Sequence, residues 1–456
     1  MTETAHQRYL RLAAADHRHL WHPFTQMQVW LAEEPLIIER GEGNYLIDAR
    51  GNRYLDGVSS LWCNVHGHRK AQLDQALREQ LDRIAHSTML GLSNTPAIEL
   101  AAALSAIAPT GLSRVFYSDS GAEAVEVALR IAAQYWQLSG QPQRTLFVTL
   151  EEAYHGDTIG SASLGYSEPF HRHIRPLLFP TVKTPPPHVF RFHRRMAPQA
   201  ADEAALAAAA RLLEQHGKQT AALVIEPLMQ GAAGMWSHST DYLRSIVEMA
   251  RAAGALVIVD EVATGFGRTG AMFACEHAGI SPDLLCLGKG ITGGYLPLAA
   301  TLATERVFEA FLGRPEEFRA FYYGHTYTGN PLAAAVALAN LEVFRDERVI
   351  QAIQPKIEIL RGALQARFAR HPKVADIRQW GLMAGVEIMD SPEERRAYPY
   401  AAQTGARIAK AARKAGVVVR PLGDVMIFMP PLSITPSEIE MLTDAVYNAT
   451  CEIVGK

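Results

Sequence analysis

The chain reads as an α/β protein built on a large, doubly wound and mostly parallel sheet, with a smaller α+β domain assembled from both termini. Two observations predict the large sheet. Short, almost continuously apolar runs (TLFVTLEEAYHGD, AALVIEPLMQG, GALVIVDEVATG) recur along the middle of the chain and end in polar or glycine-rich segments. Such runs suit strands covered on both faces. Between them lie helical stretches of 13–17 residues, such as AEAVEVALRIAAQYWQL, ADEAALAAAARLLEQHG and STDYLRSIVEMARAAG, and strands alternating with helices of that length build parallel sheets. A third observation sets the ends apart. Residues 34–56 alternate around GEGN and RGNR like hairpins. From about residue 345 the pattern becomes helix, strand, helix, strand, helix.

The order of elements follows from local chemistry. Residues 96–108 carry a proline in the first turn and helical apolar spacing. SRVFYSDSG is a β-branched and aromatic run that ends in turn residues, and the alanine- and leucine-rich helix after it is a strong one. The segment STDYLRSIVEMARAAG closes on a glycine of C-terminal type. The stretch 166–200, rich in proline and histidine and without a period, reads as a long surface loop. These features divide the chain into 1–58, 59–344 and 345–456, the first and last together forming the smaller domain.

Composition narrows the function classes. With 456 residues, two or three domains are expected at roughly 100–200 residues each; 48% hydrophobic and 20% charged residues exclude disorder. The 44 basic against 47 acidic side chains leave a net charge of −3, which argues against a nucleic-acid binder or a membrane-docking polybasic surface. Cys63, Cys275, Cys286 and Cys451 form no CxxC pair and are too few for a disulfide scaffold, so core thiols in a reducing, cytoplasmic setting are expected. The first residues lack the apolar core of a signal peptide, and no run approaches the roughly 20 residues of a membrane span. His66 with His68, or His171 with His173, have no carboxylate or cysteine at ligand spacing, so no metal site is expected.

Four features carry chemistry. Asp260 closes an apolar strand, at the sheet edge where α/β proteins place ligands; alone it could equally be a cap. Lys289 sits between glycines after another apolar run, a poor place for a lysine unless its amine is used. Desolvation lowers a lysine pKa and makes the amine a Schiff-base nucleophile. Ser120, Gly121 and Ala122 open a long helix and present N–H groups and a hydroxyl at its positive end, a seat for a phosphate. Ser120 and Glu123 also form a capping box, which is compatible with that seat. Tyr154 and His155 follow a strand and offer an aromatic plate to a planar ring. An acid for a ring nitrogen, a Schiff-base lysine, a phosphate seat and a stacking aromatic together describe a pyridoxal 5'-phosphate site. GFGRTG, by contrast, matches a dinucleotide fingerprint only by letters: DEVAT separates it from the strand, no strong helix opens after it, and no acid sits about 20 residues on at a strand end.

At SDSGAEAVE, YHGDT, IEPLMQGAAGM, DEVATGFGRTG, PDLLCLGKGITGGYLP and HTYTGNPLA the chain resembles the class III aminotransferases, pyridoxal-phosphate enzymes of fold type I with the aspartate-aminotransferase-like architecture. HLWHPFTQM, DGVSSLWCNVHGH, FACEHAGISPDLLCLGK and RPLGDVMIFMPP are similar to the biotin-pathway branch, which aminates 8-amino-7-oxononanoate. The resemblance implies a ping-pong transaminase in which Lys289 holds the cofactor and moves the proton, and Asp260 keeps the ring nitrogen protonated. It also implies that Ser120, Gly121 and Ala122 hold the phosphate with Thr326 from the other subunit of a homodimer, that Tyr154 stacks on one face and Val262 on the other, and that Glu226 supports the cofactor. Arg420 is expected to take the substrate carboxylate, with Phe24, Leu61, Trp62, Asp157 and Gly324 lining the channel. The partners implied are a small amine donor and a keto acid acceptor. Phe24, Leu61 and Ile427 depart from the pattern of members that use S-adenosylmethionine. The donor stays open between S-adenosylmethionine and lysine, with the departures leaning to lysine, and an ω-amine:pyruvate aminotransferase is the alternative.

Overall fold

A computed structural model describes residues 3–168 and 170–456. Its centre is a seven-stranded sheet in the order Leu112–Ser118, Ala299–Thr304, Leu284–Leu287, Leu256–Asp260, Thr220–Ile225, Leu146–Leu150, Val182–Thr184. All neighbours pair in parallel except Ala299–Thr304, which is antiparallel to both strands beside it.

Alternation along these strands shows why their sequences are apolar throughout. Leu223, Ile225, Val257, Val259, Leu285 and Leu287 enter one core, which is covered by helices that include Thr95–Ile107, Pro198–His216, Thr240–Ala252 and Pro331–Asp346. Ala222, Val224, Leu256, Ile258, Leu284 and Cys286 enter a second core, under the helix Gly121–Leu138. Successive side chains point to opposite faces, so a doubly covered strand has no solvent side on which to place a polar residue.

The strand Ala299–Thr304 was not legible, because AATLAT lacks the bulk of its neighbours. Packing explains the small residues: Thr301 Oγ1 donates to Ala124 O at 2.7 Å, under the second-core helix. Both termini meet in one sheet, Ile38–Glu42, Tyr45–Asp48, Arg53–Asp56 and Val417–Val418, where Leu55 pairs in parallel with Val417. The expected hairpins are present, with Gly43 and Gly51 at positive φ in their turns. Beside them lies a three-stranded sheet, Val374–Trp380, Met383–Ile388 and Val425–Phe428, of which only the middle strand was read from sequence. The stretch 166–200, whose residue 169 lies outside the described residues, is not all surface loop. It contributes the edge strand Val182–Thr184, and His171, Thr184 and His188 are buried. The four cysteines are unpaired. Among the described residues, no helix is long and apolar enough to cross a membrane.

Candidate active site

Five loops leave the same edge of the central sheet and bring the predicted residues together. Ser120 follows Leu112–Ser118, and Tyr154 and His155 follow Leu146–Leu150. Glu226 follows Thr220–Ile225, Asp260 ends its strand, and Lys289 stands two residues past Leu287. The carboxyl ends of parallel strands are where this architecture opens a crevice.

Asp260 is buried and fully engaged. Oδ1 accepts the Val262 N–H at 3.0 Å, and Oδ2 accepts from His155 Nδ1 at 2.7 Å. A carboxylate can only accept, so the hydrogen lies on Nδ1, and Nε2 faces Thr149 Oγ1 at 3.4 Å. This corrects the role read for His155, whose ring is tied edge-on to the acid and is buried, so it offers no free plate. Tyr154, half-buried in the same loop, stays available for stacking. Its hydroxyl donates to Asp157 Oδ2 at 2.7 Å, and burial followed by this bond raises its pKa.

Glu226 lies in the floor. Its two oxygens accept the N–H groups of Tyr154 at 3.1 Å and Gly231 at 2.9 Å. Burial pushes its pKa up to about 7, with Asp260 adding to the rise and His155 opposing it. The Lys289 amine is desolvated, which lowers its pKa, while Asp260 and Glu226 pull the other way. Its Nζ stands 4.8 Å from the centre of the Trp62 ring, within cation–π range. Lys289 itself has φ +43, a strained position that turns its side chain off the strand line.

The helix Gly121–Leu138 begins as predicted. Ser120 Oγ accepts the Glu123 N–H at 3.4 Å, and Glu123 Oε2 accepts from Asp119 and Ser120 at 2.8 and 2.9 Å. A Cβ on Gly121 would collide with Val262, and one on Gly156 with Ala122. Glycine at both places lets the strand-end loops close against the helix N-terminus. Gly324 and Thr326 are exposed on a loop whose His325 Nδ1 lies 3.4 Å from Asp119 Oδ2 and 3.3 Å from Glu123 Oε2 of the same chain.

The outer residues are less tightly held. Phe24 is 67% exposed, with the Arg420 guanidinium 5.9 Å from its ring. Leu61 is 48% exposed, whereas Trp62 is buried with Met229, Met235, Met383 and Met429. Ile427, expected on the substrate side, is fully buried in that same methionine-rich cluster. Ser59–Trp62 are all left-handed, a conformation that costs a non-glycine residue about 1–2 kcal/mol. Arg268 went unread because it lies inside the dismissed GFGRTG. Its guanidinium is fully buried, donates to Asn64 O at 2.8 Å and to Pro430 O, and has its pKa lowered by burial to about 10. An arginine flanked by glycines eight residues past a strand-end acid was the available signal.

Comparison with known proteins agrees with this geometry. The family model "Aminotransferase class-III" matches residues 27–450. The chain is 53% identical to the adenosylmethionine-8-amino-7-oxononanoate aminotransferase of Nitratidesulfovibrio vulgaris, over 98% of this chain and 82% of that one. It is 46% identical to the protein of the same name from Geobacter sulfurreducens, over 96% and 97%. Among solved structures, that of adenosylmethionine-8-amino-7-oxononanoate aminotransferase from Methanocaldococcus jannaschii superposes with a TM-score of 0.93 at 44% identity, covering 97% of this chain and 99% of that one. An (S)-enantioselective omega-transaminase from Thermomicrobium roseum also reaches 0.93, at 33% identity and 98% coverage of both chains. A strand-end acid held by a histidine, a desolvated lysine opposite it and a capped helix N-terminus beside them accord with a match along almost the whole length: the chain belongs to the class-III aminotransferases.

Proposed function

We propose that this aminotransferase moves an amino group from S-adenosylmethionine to the ketone of 8-amino-7-oxononanoate, giving 7,8-diaminononanoate, with pyridoxal 5'-phosphate as its cofactor. The observation that carries the cofactor reading is the Asp260–His155 pair beside a desolvated Lys289 and the Ser120–Ala122 helix start. An aromatic nitrogen base, an aldehyde and a phosphate each find a matching group there. Gly121 and Gly288 leave the approach clear, because a Cβ on either would press on Val262. When bound, the cofactor supplies an electron sink for the carbon that loses a proton.

The chain's own residues supply the rest. Asp260, fixed by two hydrogen bonds, presents a negative charge that keeps a facing ring nitrogen protonated. Lys289, lowered in pKa by desolvation, is closer to a neutral amine than a surface lysine and takes the proton from the amine-bearing carbon of the donor. The same amine delivers a proton to C7 of the acceptor in the second half of the cycle. Tyr154, anchored through Asp157, limits ring tilt on one side, with Val262 on the other. Arg420 beside Phe24 offers the guanidinium for the acceptor's terminal carboxylate.

S-adenosylmethionine is preferred to lysine because the oxononanoate aminotransferases compared above carry it in their names, although Phe24 and Leu61 lean the other way. The working unit in this reading is a homodimer with shared active sites, in which the Gly324–Thr326 loop serves the other copy's seat. Leu90, Phe318 and Tyr322, more than 70% exposed, support a further covering surface. The domain division 1–58, 59–344 and 345–456 accords with the sheet that joins Leu55 to Val417. A cytoplasmic setting is in keeping with four unpaired thiols.

The test is direct. Purified protein with pyridoxal phosphate and 8-amino-7-oxononanoate is given S-adenosylmethionine or lysine, and 7,8-diaminononanoate is measured by mass spectrometry. Formation with S-adenosylmethionine is expected. Turnover of 1-phenylethylamine with pyruvate, and no diaminononanoate with either donor, would replace this reading by the ω-amine one.

A further inference from the structure

The motif DGVSSLWCNVHGH contributes Leu61 and Trp62 to the site, but its polar residues have no part in the chemistry above. They converge on one unusual turn. Ser59, Ser60, Leu61 and Trp62 have φ of +50, +48, +72 and +70, with ψ of +49 and +53 at Ser60 and Leu61. Four consecutive left-handed residues without a glycine persist only where the surroundings over-determine them.

The surroundings do so. Asp56, 0% exposed at the end of Arg53–Asp56, accepts the Ser60 N–H at 2.9 Å on Oδ1 and the Ser60 hydroxyl at 2.7 Å on Oδ2. Oδ2 also faces His68 Nε2 at 3.1 Å, and His68 Nδ1 meets Asn64 Nδ2 at 3.0 Å. A single neutral tautomer satisfies both contacts: Nε2–H donates to the carboxylate, and Nδ1 accepts from the amide. His68 therefore ties the residue before the turn to the residue after it. Ser59 Oγ donates to Met429 O, and Arg268 donates to Asn64 O. The outcome is a division of labour between neighbours. Trp62 is turned inward beneath the Lys289 amine and packs against Gly231, while Leu61 is turned outward. An ordinary right-handed turn could not aim the two side chains this way.

We infer that Asp56, acting through His68 and Asn64, is a positioning residue for substrate binding: it holds the strained turn that sets Trp62 beneath the Lys289 amine and turns Leu61 outward. The inference rests on the reading that amine and ketone bind beside Lys289. Its test uses the holoenzyme and whichever amine–ketone pair the unsubstituted chain turns over, so a wrong substrate assignment shows in the parent protein and a wrong clamp only in the variants.

Asp56→Ala should raise the ketone KM about tenfold or more, with kcat within about threefold and the visible absorption of the bound cofactor unchanged. Amide hydrogen exchange should rise over residues 59–64 and not in the central sheet. Adding Ser60→Gly to Asp56→Ala should recover about threefold of the lost KM, since glycine takes positive φ without a side-chain penalty. Should Asp56→Ala fail to fold, Asp56→Asn keeps one acceptor for Ser60 and sets an amide against His68, and about threefold in KM is expected. A KM within twofold of the parent in the folded Asp56 variant overturns the proposal. So does an Asp56→Ala/Ser60→Gly protein with no recovery.

Discussion

Two parts of the site are built to different standards. At the carboxyl edge of the central sheet, every oxygen of Asp260 and Glu226 has a named partner, and His155 is locked between acid and hydroxyl. At the outer rim, Phe24, Leu61, Asp157, Gly324, Thr326 and Arg420 are exposed, and the Arg420 guanidinium faces the Phe24 ring. In the proposed reading the inner part is preorganised for one kind of proton transfer, and the outer part leaves freedom for differently shaped amines and acids. Solved structures of an oxononanoate aminotransferase and of an omega-transaminase, both at a TM-score of 0.93, are what such a division allows.

The sharpest way to break that comparison is Lys289→Ala. If the inner part carries the chemistry, turnover should fall by at least about 10³-fold, because a proton carrier at the reacting carbon is lost. Peptide mapping after borohydride reduction should label Lys289 in the parent and nothing at that position in the variant. A variant retaining a tenth of the parent rate would move the chemistry elsewhere.

The same contrast explains what could be read from the chain alone. Asp260, Lys289 and the Ser120 cap stood out because each ends or closely follows an apolar strand or opens an alanine-rich helix, whereas Glu226 entered only through the family resemblance. The partnership of His155 with Asp260 was not, since 105 residues separate the two and only the parallel register brings their loops together. The left-handed run at Ser59–Trp62 was invisible for a different reason: no glycine marks it, and it is imposed from outside by Asp56, Ser59–Met429 and Arg268. Ala299–Thr304 was missed because a strand pressed under a helix selects small residues over β-formers. Local sequence is informative where an element's own side chains decide its shape.

The rim can be probed by Arg420→Ala. Losing a charge-assisted pair with a carboxylate should raise the KM for 8-amino-7-oxononanoate by about 10–100-fold. A ketone without a carboxylate should be affected no more than about twofold, and kcat at saturation should stay near the parent value. An equal loss for both ketones would place Arg420 in the inner part instead.

The smallest effect concerns stability. Glu226 has a folded pKa of about 7, against 4.5 for an ordinary glutamate, and burial is the main cause. The folded protein therefore binds this proton more tightly than the unfolded chain. The stabilisation from the protonated acid is complete below about pH 4.5 and is lost as pH rises through about 7. The loss amounts to about 3 kcal/mol at most. Urea unfolding of the cofactor-free protein should show this decline between pH 5 and 8, and Glu226→Gln, which has no proton to lose, should flatten it. Glutamine brings an amide nitrogen against one of two N–H donors, so the variant should be less stable than the parent at pH 5 and lose less on going to pH 8. A parent curve already flat across that range would mean that the Tyr154 and Gly231 N–H groups hold Glu226 ionised despite its burial, and that the floor of the site carries a full negative charge beside Lys289.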